Sequence, residues 1–525
     1  MNRPHPRSNP VDLHELTLAD QTRMVAGLRA ALQADQPRLP VELIETHISF
    51  VLVGVEFAWK LKKALNPGFL DFTTLARRQL GCEDEVRLNR RLAPDLYLDV
   101  VLVTGSVAAP SFGGEGVAID VAVRMRAFDQ DGLWDRMATR GELRAAHIDD
   151  LAAQLCTFHR DAAVADEQDG RGRPAQVRAP MLDNLAVLDL ACTSAADRSV
   201  LADIRRWEAA TFASLAGVFA QRLRDGRVRE GHGDLHLGNV ACIDGRTTVF
   251  DCIEFNATFR WIDVMSEIAF LAMDLHGHGL PALAHRFVNA YLECTGDYAG
   301  VRVLRYYVVH RALVRAKVGA LRAAQMTSAK PGAPDPVRHF LALAAAMTRP
   351  QAPRVTITHG FSGSGKTTGS QAIVESTGAI RIRADVERKR LFGLEATARS
   401  GSALNAALYD PSATALTYER LCELAGPVLD GGHAVVLDAT FLQREQRDRA
   451  RRLATGHGVP FLILEFDVDT DTLRDRVSQR LTHGGDASEA DLDVLAAQLR
   501  TAQPLGADER TVVVEGRSVP RSTDG

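Results

Sequence analysis

The chain has 525 residues, 46% of them apolar and 24% charged, with a formal net charge of −4. That length exceeds what one hydrophobic core sustains, so at least two domains of globular composition are expected. The near-neutral balance excludes a global basic field for nucleic acid. No run approaches the roughly 18 apolar residues of a membrane span, and the polar opening from Met1 to Pro10 lacks the apolar centre of a signal peptide. The seven cysteines are scattered, odd in number and never spaced CxxC, which predicts reduced thiols in a cytoplasmic protein and no disulfide or zinc framework.

Residues 1–15 are expected to be disordered or loosely packed. Leu18 to Ala34 has helical apolar spacing, with Thr17 at the N-cap position and Gln36-Pro37 beyond the end. Ile44 to Val53 reads as one strand and, after Gly54, Val55 to Lys62 as its hairpin partner. Trp59 and Leu61 fall on one face of the second strand, and Ala58, Lys60 and Lys62 on the other. A lysine so placed can reach the α- and β-phosphates of a nucleotide, or it can be a solvated edge. Phe72 to Leu92 reads as a helix carrying Glu85, ended by Pro94. A strand from Leu98 to Thr104, a turn at Gly113-Gly114 and a strand within Gly116 to Phe128 follow. Hairpin, helix, then further strands is the order of an α+β, protein-kinase-like small lobe.

From Leu133 the pattern turns helical, with an amphipathic segment from Ile148 to His159, a Gly/Arg/Pro-rich loop from Asp166 to Arg178, and a long helix from Ala196 to Arg224. Next comes the stretch His232-Gly-Asp234-Leu-His236-Leu-Gly-Asn239, with Asp251 at the end of a strand from Thr247 to Phe250. Phosphoryl transfer needs a carboxylate to orient the acceptor hydroxyl and take its proton, and oxygen donors to hold Mg²⁺ against the phosphates. The stretch resembles the catalytic loop of the aminoglycoside phosphotransferase family, relatives of protein kinases, which carry HxDxxxxN. The resemblance implies Asp234 as catalytic residue, Asn239 and Asp251 as Mg²⁺ ligands, and Glu85 as partner of the strand lysine. Lys60 and Lys62 both fit that lysine. The chain departs from the protein-kinase pattern in two places. No G-x-G-x-x-G is present, Thr46 to Ser49 standing in its place, and Cys252-Ile253 replaces Phe-Gly. His232 and His236 are expected to order the loop by hydrogen bonds; Glu254 is left open. Asp263 to Leu275, Pro281 to Glu293 and Val301 to Ala324 read as helices, the last with Arg311 and Arg315 on a face expected to be solvated or at a domain interface.

Thr327 to Pro336 is a Pro/Gly-rich break, followed by a short helix from Val337 to Met347, which places a domain boundary near residue 350. Arg354 to Thr358 is a β-branched strand. It runs into Gly360-Phe361-Ser362-Gly363-Ser364-Gly365-Lys366-Thr367, a GxxxxGK(S/T) loop, and then into a helix from Thr368. The glycines let backbone N–H groups face one point at a helix N-terminus, Lys366 would reach the β- and γ-phosphates, and Thr367 would ligate Mg²⁺. Ile380 to Arg383 and His433 to Asp438 read as strands, the latter ending in the acid expected to serve Mg²⁺, and Pro460 to Phe466 as a further buried strand. Strands alternating with helices imply a parallel α/β sheet. This part resembles small P-loop kinases of the polynucleotide-kinase and zeta-toxin type. The resemblance implies Asp385 as the group that takes the acceptor proton, Arg388 beside the acceptor, and a lid arginine, Arg480 ahead of Arg476.

The expected organisation is an extension and helix over 1–39, a kinase-like domain over 40–325, a linker over 326–352 and a P-loop domain over 353–515. The tandem resembles bacterial proteins in which an aminoglycoside phosphotransferase-family domain is fused to a predicted kinase. It implies an ATP- and Mg²⁺-dependent phosphotransferase with small-molecule hydroxyl acceptors, while hydropathy predicts no membrane partner and the charge balance disfavours nucleic acid. In the alternative, the first domain is a non-catalytic sensor and the P-loop domain alone is a kinase or ATPase, with nucleic-acid ends as one candidate acceptor.

Overall fold

The computed structural model describes residues 15–68, 70–325, 335–396, 410–483 and 488–515. The expected loose N-terminus (up to residue 14) and most of the Pro/Gly-rich break lie outside these. The chain divides into two compact units, Met1–Met137 with His232–Trp261, and Ala138–Gly231 with Ile262–Gly525.

The first unit opens with α1 (Leu18–Asp35), whose Thr17 cap and Asp20 exchange side-chain-to-backbone hydrogen bonds. Strands β1 (Glu42–Glu45), β2 (Ser49–Val53) and β3 (Phe57–Lys62) lead to α2 (Leu75–Asn89), then to β4 (Tyr97–Ser106), β5 (Ala109–Phe112) and β6 (Asp120–Arg126). All six strands form one antiparallel sheet ordered β1-β2-β3-β6-β4-β5. Alternation fills both faces. Leu61 and Ala122 pack with Met24 and Leu28 of α1, whereas Val121 and Val123 pack with Cys82 and Val86 of α2. The single strand expected from Ile44 to Val53 is corrected to two strands. The Thr46 hydroxyl accepts the Ser49 N–H at 3.0 Å and closes a turn between them. Strand β5 was not expected at all.

The chain passes between the units through α3 (Trp134–Thr139) and, later, β10 (Trp261–Asp263). The second unit begins with α4 (Ala145–Asp161), α5 (Pro174–Ala191), α6 (Ala195–Arg224) and β7 (Val228–Glu230). Helix α5 starts inside the stretch expected to be loop, because Pro174 occupies a first-turn position where its missing N–H costs nothing. The first unit resumes with the hairpin β8 (Val240–Ile243) and β9 (Arg246–Val249) and the short α7 (Ala257–Arg260).

The second unit continues with α8 (Val264–Gly277), which is buried nearly all round, α9 (Pro281–Thr295), α10 (Val301–Gln325) and α11 (Pro336–Thr348). Arg311 and Arg315 are packed within this unit. Arg311 donates to Ser266 and lies over the Phe270 ring, and Arg315 lies over Phe340. Cys156 of α4 and Cys294 of α9 form a disulfide with Cα atoms 6.4 Å apart, which corrects the expectation of thiols throughout. Helix packing brings together residues 138 apart, which spacing alone does not reveal.

The rest of the unit comprises β11 (Val355–His359), α12 (Lys366–Thr377), β12 (Ile380–Arg383), α13 (Ala384–Leu391), α14 (Pro411–Asp430), β13 (Val435–Asp438), α15 (Arg444–Gly456), β14 (Phe461–Glu465), α16 (Thr470–His483), α17 (Leu492–Thr501), α18 (Ala507–Arg510) and β15 (Val513–Glu515). The strands form a parallel sheet ordered β12-β13-β11-β14-β15, so the P-loop strand β11 is central and β12 is an edge. Among the described residues no helix is long and apolar enough to cross a membrane.

Candidate active sites

In the first unit, period-two alternation along β3 places Lys60 and Lys62 on the face toward α2. Glu85 of α2 is fully buried between them. Lys62 donates to Glu85 Oε2 at 2.7 Å and to Glu254 Oε1, and its side chain is 0% exposed. Lys60 Nζ lies 2.7 Å from Glu85 Oε1, without hydrogen-bond geometry, and 2.5 Å from Asp251 Oδ1. The Asp251 side chain is 43% exposed. Burial works against the Lys60 charge. Asp251, Glu85 and Glu254 outweigh it and hold the ammonium well above its ordinary range. Burial likewise raises the Glu85 carboxyl, and the two lysines reverse that and bring it down to about 2.

The catalytic-loop candidates meet the same place through β8 and β9. Val240 pairs with Val249, so Asn239 stands opposite Phe250, whose N–H donates to the Asn239 carbonyl at 3.0 Å. Asp251 follows directly, in left-handed backbone (φ 63°), with its N–H donating to the Tyr97 hydroxyl. Asn239 Nδ2 donates to the Asp234 carbonyl at 3.0 Å and to its Oδ2 at 3.2 Å. The amide nitrogen is therefore committed to Asp234, and the amide oxygen is the group suited to a cation. His232 bonds the Phe250 carbonyl and accepts the Asp234 N–H, while His236 accepts the Gly238 N–H and lies 3.5 Å from Asp234 Oδ2. Both histidines thus order the loop.

In the second unit, Gly360, Gly363 and Gly365 of the β11–α12 loop all have positive φ. A Cβ on Gly360 would meet the Phe466 carbonyl oxygen at 2.7 Å, so only glycine fits there. Ser362 is held from the side, since its N–H and hydroxyl both bond the Gln498 amide at 3.0 Å. Lys366 Nζ donates to the Phe361 carbonyl at 2.6 Å, and burial pulls its ammonium down to about 8 despite Asp438 and Asp385. Asp438 ends β13, buried, with Oδ2 accepting from Ser370 at 2.9 Å. Gln443 occupies the N-cap of α15. Asp385 lies in the first turn of α13, 3.6 Å from Arg388. Arg476 donates to the Gly363 carbonyl at 3.4 Å, and Arg480 donates to the Ala490 carbonyl.

Residues 66–304 match the family model described as "Phosphotransferase enzyme family", and residues 355–505 match one described as "AAA domain". The uncharacterized proteins Rv2004c of Mycobacterium tuberculosis and Mb2027c of Mycobacterium bovis are each 32% identical to the chain over 469 residues, covering 88% of it and 91% of the relative. The chain belongs to their family. It joins an aminoglycoside phosphotransferase-family domain to a P-loop domain, and both domain types support phosphotransfer. Among solved structures, a choline/ethanolamine kinase family protein from Mesorhizobium loti aligns over 63% of this chain and 95% of its own at 13% identity and TM-score 0.38. A gluconokinase from Sinorhizobium meliloti 1021 aligns over 32% and 84% at 22% identity and TM-score 0.23.

Glu254, left open from the sequence, takes a basic partner, and several further residues at the two sites of this family member were not anticipated. Glu254 pairs with Lys62, the Tyr97 hydroxyl supports Asp251, Ser370 holds Asp438, and Arg381 donates to the Thr367 carbonyl at 3.1 Å and to Ser370 Oγ at 3.3 Å. Two of these left a signal. Ser370 follows Thr367 by three residues on one helical face, and a parallel strand reading Ile-Arg-Ile-Arg places arginines where a sheet covered on both faces calls for apolar residues.

Proposed function

We propose that the protein is an ATP- and Mg²⁺-dependent phosphotransferase with two sites, each passing the γ-phosphoryl group of ATP to a hydroxyl of a small molecule. The observation that carries this reading is the convergence of Lys60, Glu85, Asp251, Asn239 and Asp234 in one unit, from four separate stretches of chain. The donor chemistry fits the metal. Asn239 and Asp251 at the first site, and Thr367 with Asp438 at the second, offer hard oxygen ligands. These residues would hold Mg²⁺, which would supply positive charge against that of the phosphates.

At the first site Lys60 is the nucleotide lysine, because it borders the partly open Asp251 whereas Lys62 is sealed between Glu85 and Glu254. Glu85 aims Lys60 at the α- and β-phosphates. Asp234, oriented by Asn239, accepts the acceptor's hydroxyl proton as the new O–P bond forms and the bond between the γ-phosphorus and the bridging oxygen of ADP breaks. At the second site Asp385 has the corresponding role, with Arg388 beside it. Lys366 leaves the Phe361 carbonyl for the β- and γ-phosphates, and Arg476 and Arg480 lie on the lid helix.

The test is a screen of hydroxyl-bearing small molecules for label transfer from [γ-³²P]ATP, run on the full chain and on full-length Asp234→Ala and Lys366→Ala. Acceptors lost separately with each variant support two kinase sites. An Asp234→Ala enzyme that keeps every transfer would make the first domain a sensor.

A further inference from the structure

Strand β12 is the edge of the P-loop sheet, and an edge leaves backbone groups to be covered. Helix α9, which lies in the segment matching the phosphotransferase family, covers it. The buried Asn289 of α9 behaves like a neighbouring strand. Its Nδ2 donates to the Ala379 carbonyl at 3.1 Å and its Oδ1 accepts the Arg381 N–H at 2.7 Å. One turn on, Glu293 accepts from Arg383 at 2.8 Å and from Arg381 at 3.3 Å. The Glu293 carbonyl also accepts from Arg390 of α13 at 2.6 Å.

The two arginines held by this carboxylate adjoin different residues of the second site, Arg381 by hydrogen bonds and Arg383 by its place in the chain. Arg381 reaches the Thr367 carbonyl and Ser370 Oγ, and Ser370 in turn fixes Asp438. Arg383 is the N-cap residue of α13, two positions before Asp385. A buried arginine with no counter-charge is costly and would not keep one geometry. Removing the carboxylate therefore frees Arg381 from its counter-charge and leaves it on Ser370, the side chain that holds Asp438 on the metal side of the site.

We infer that Glu293, a side chain of the phosphotransferase-family segment, is a positioning residue for the P-loop site. It acts through Arg381, Ser370 and Asp438 on the metal side of that site, so the second site is complete only with a helix of the first domain. This rests on the reading of Gly360–Thr367 as a nucleotide site.

The test uses the full chain carrying Lys60→Met, so that nucleotide binding at the first site is removed, and compares Glu293→Gln, Glu293→Asp and Lys366→Ala. Three quantities are read: the Mg²⁺ concentration for half-maximal binding of a fluorescent ATP analogue at the P-loop, binding of the same analogue without Mg²⁺, and hydrogen exchange of residues 366–371 in the nucleotide-free protein. Glu293→Gln is expected to raise the Mg²⁺ midpoint roughly 10-fold, the lower end for residues behind metal ligands. It should speed exchange in 366–371 and leave Mg²⁺-free binding within about 2-fold, with Glu293→Asp recovering most of the Mg²⁺ midpoint. A Glu293→Gln protein with an unchanged Mg²⁺ midpoint, beside a Lys366→Ala protein that has lost P-loop binding, overturns the inference. Asn289→Ala removes the edge bonds and spares the carboxylate. An equal rise in the Mg²⁺ midpoint in that variant would assign the effect to docking and also overturn the inference. If Lys366→Ala binds nucleotide as the parent does, the P-loop reading itself fails.

Discussion

Lys60 and Lys62 flank one carboxylate, Glu85, with their ammonium groups each 2.7 Å from a different oxygen, yet only Lys60 also touches Asp251. Two residues that look interchangeable in the sequence therefore hold different positions. Lys60→Met should abolish nucleotide binding at the first site while the fold persists, because its other partner is partly open to water. Lys62→Met should instead leave Glu254 buried without its cation and destabilise the first unit by about 3–5 kcal/mol. Urea unfolding paired with nucleotide titration separates the two. Equal destabilisation with equal loss of binding would contradict the division.

Asp234→Asn keeps the shape and the neighbours of the loop but cannot take a proton. Transfer at the first site should fall about 10²–10⁴-fold in kcat, with ATP affinity within a factor of about 2. Single-turnover kinetics in a Lys366→Ala background reads this directly. A fall confined to KM would assign Asp234 to acceptor binding.

Gly360 and Gly458 both have positive φ, but a Cβ on Gly360 would strike the Phe466 backbone and one on Gly458 would meet nothing within 4 Å. Gly458→Ala should cost about 1 kcal/mol, as strain alone does. Gly360→Ala should cost more and also weaken nucleotide binding at the P-loop. Similar unfolding midpoints for the two variants would refute the crowding.

His310 of α10 is buried, neither ring nitrogen has a hydrogen-bond partner among the described residues, and burial pulls its pKa down to about 3. The folded chain holds the neutral ring, while the unfolded chain takes up a proton below about 6.5. The unfolded state therefore binds more protons between about 6.5 and 3, and stability is lost as pH falls through that window. His433, likewise pulled to about 3 by burial, adds to the slope. His310→Phe should flatten the drop in Tm between pH 7 and 5. An unchanged slope would rule His310 out as a source.

What the sequence discloses about this chain is local. The P-loop and the Asp234–Asn239 loop are short patterns in which spacing encodes geometry, so their chemistry can be read without the fold. The choice between Lys60 and Lys62 cannot, because it depends on which lysine the Asp251 loop reaches, 191 residues downstream. The split of the first strand turns on one Thr46 hydroxyl accepting the Ser49 N–H within its own turn, a competition that β-propensity does not register. Arg311 and Arg315 read as a solvated or domain-interface face until Phe270 and Phe340 are packed under them. Ser370 and Arg381 leave local signals, but the contacts that join Asp438 to Ser370, Ser370 to Arg381 and Arg381 to Glu293 are tertiary.

The central claim is that one chain holds two nucleotides, in two pockets built from different elements. Calorimetric titration of the full chain with a non-hydrolysable ATP analogue and Mg²⁺ tests it most directly. The account predicts two analogues bound per chain, one after Lys60→Met, one after Lys366→Ala and none in the double variant. A single analogue per wild-type chain, abolished by either variant alone, would contradict it.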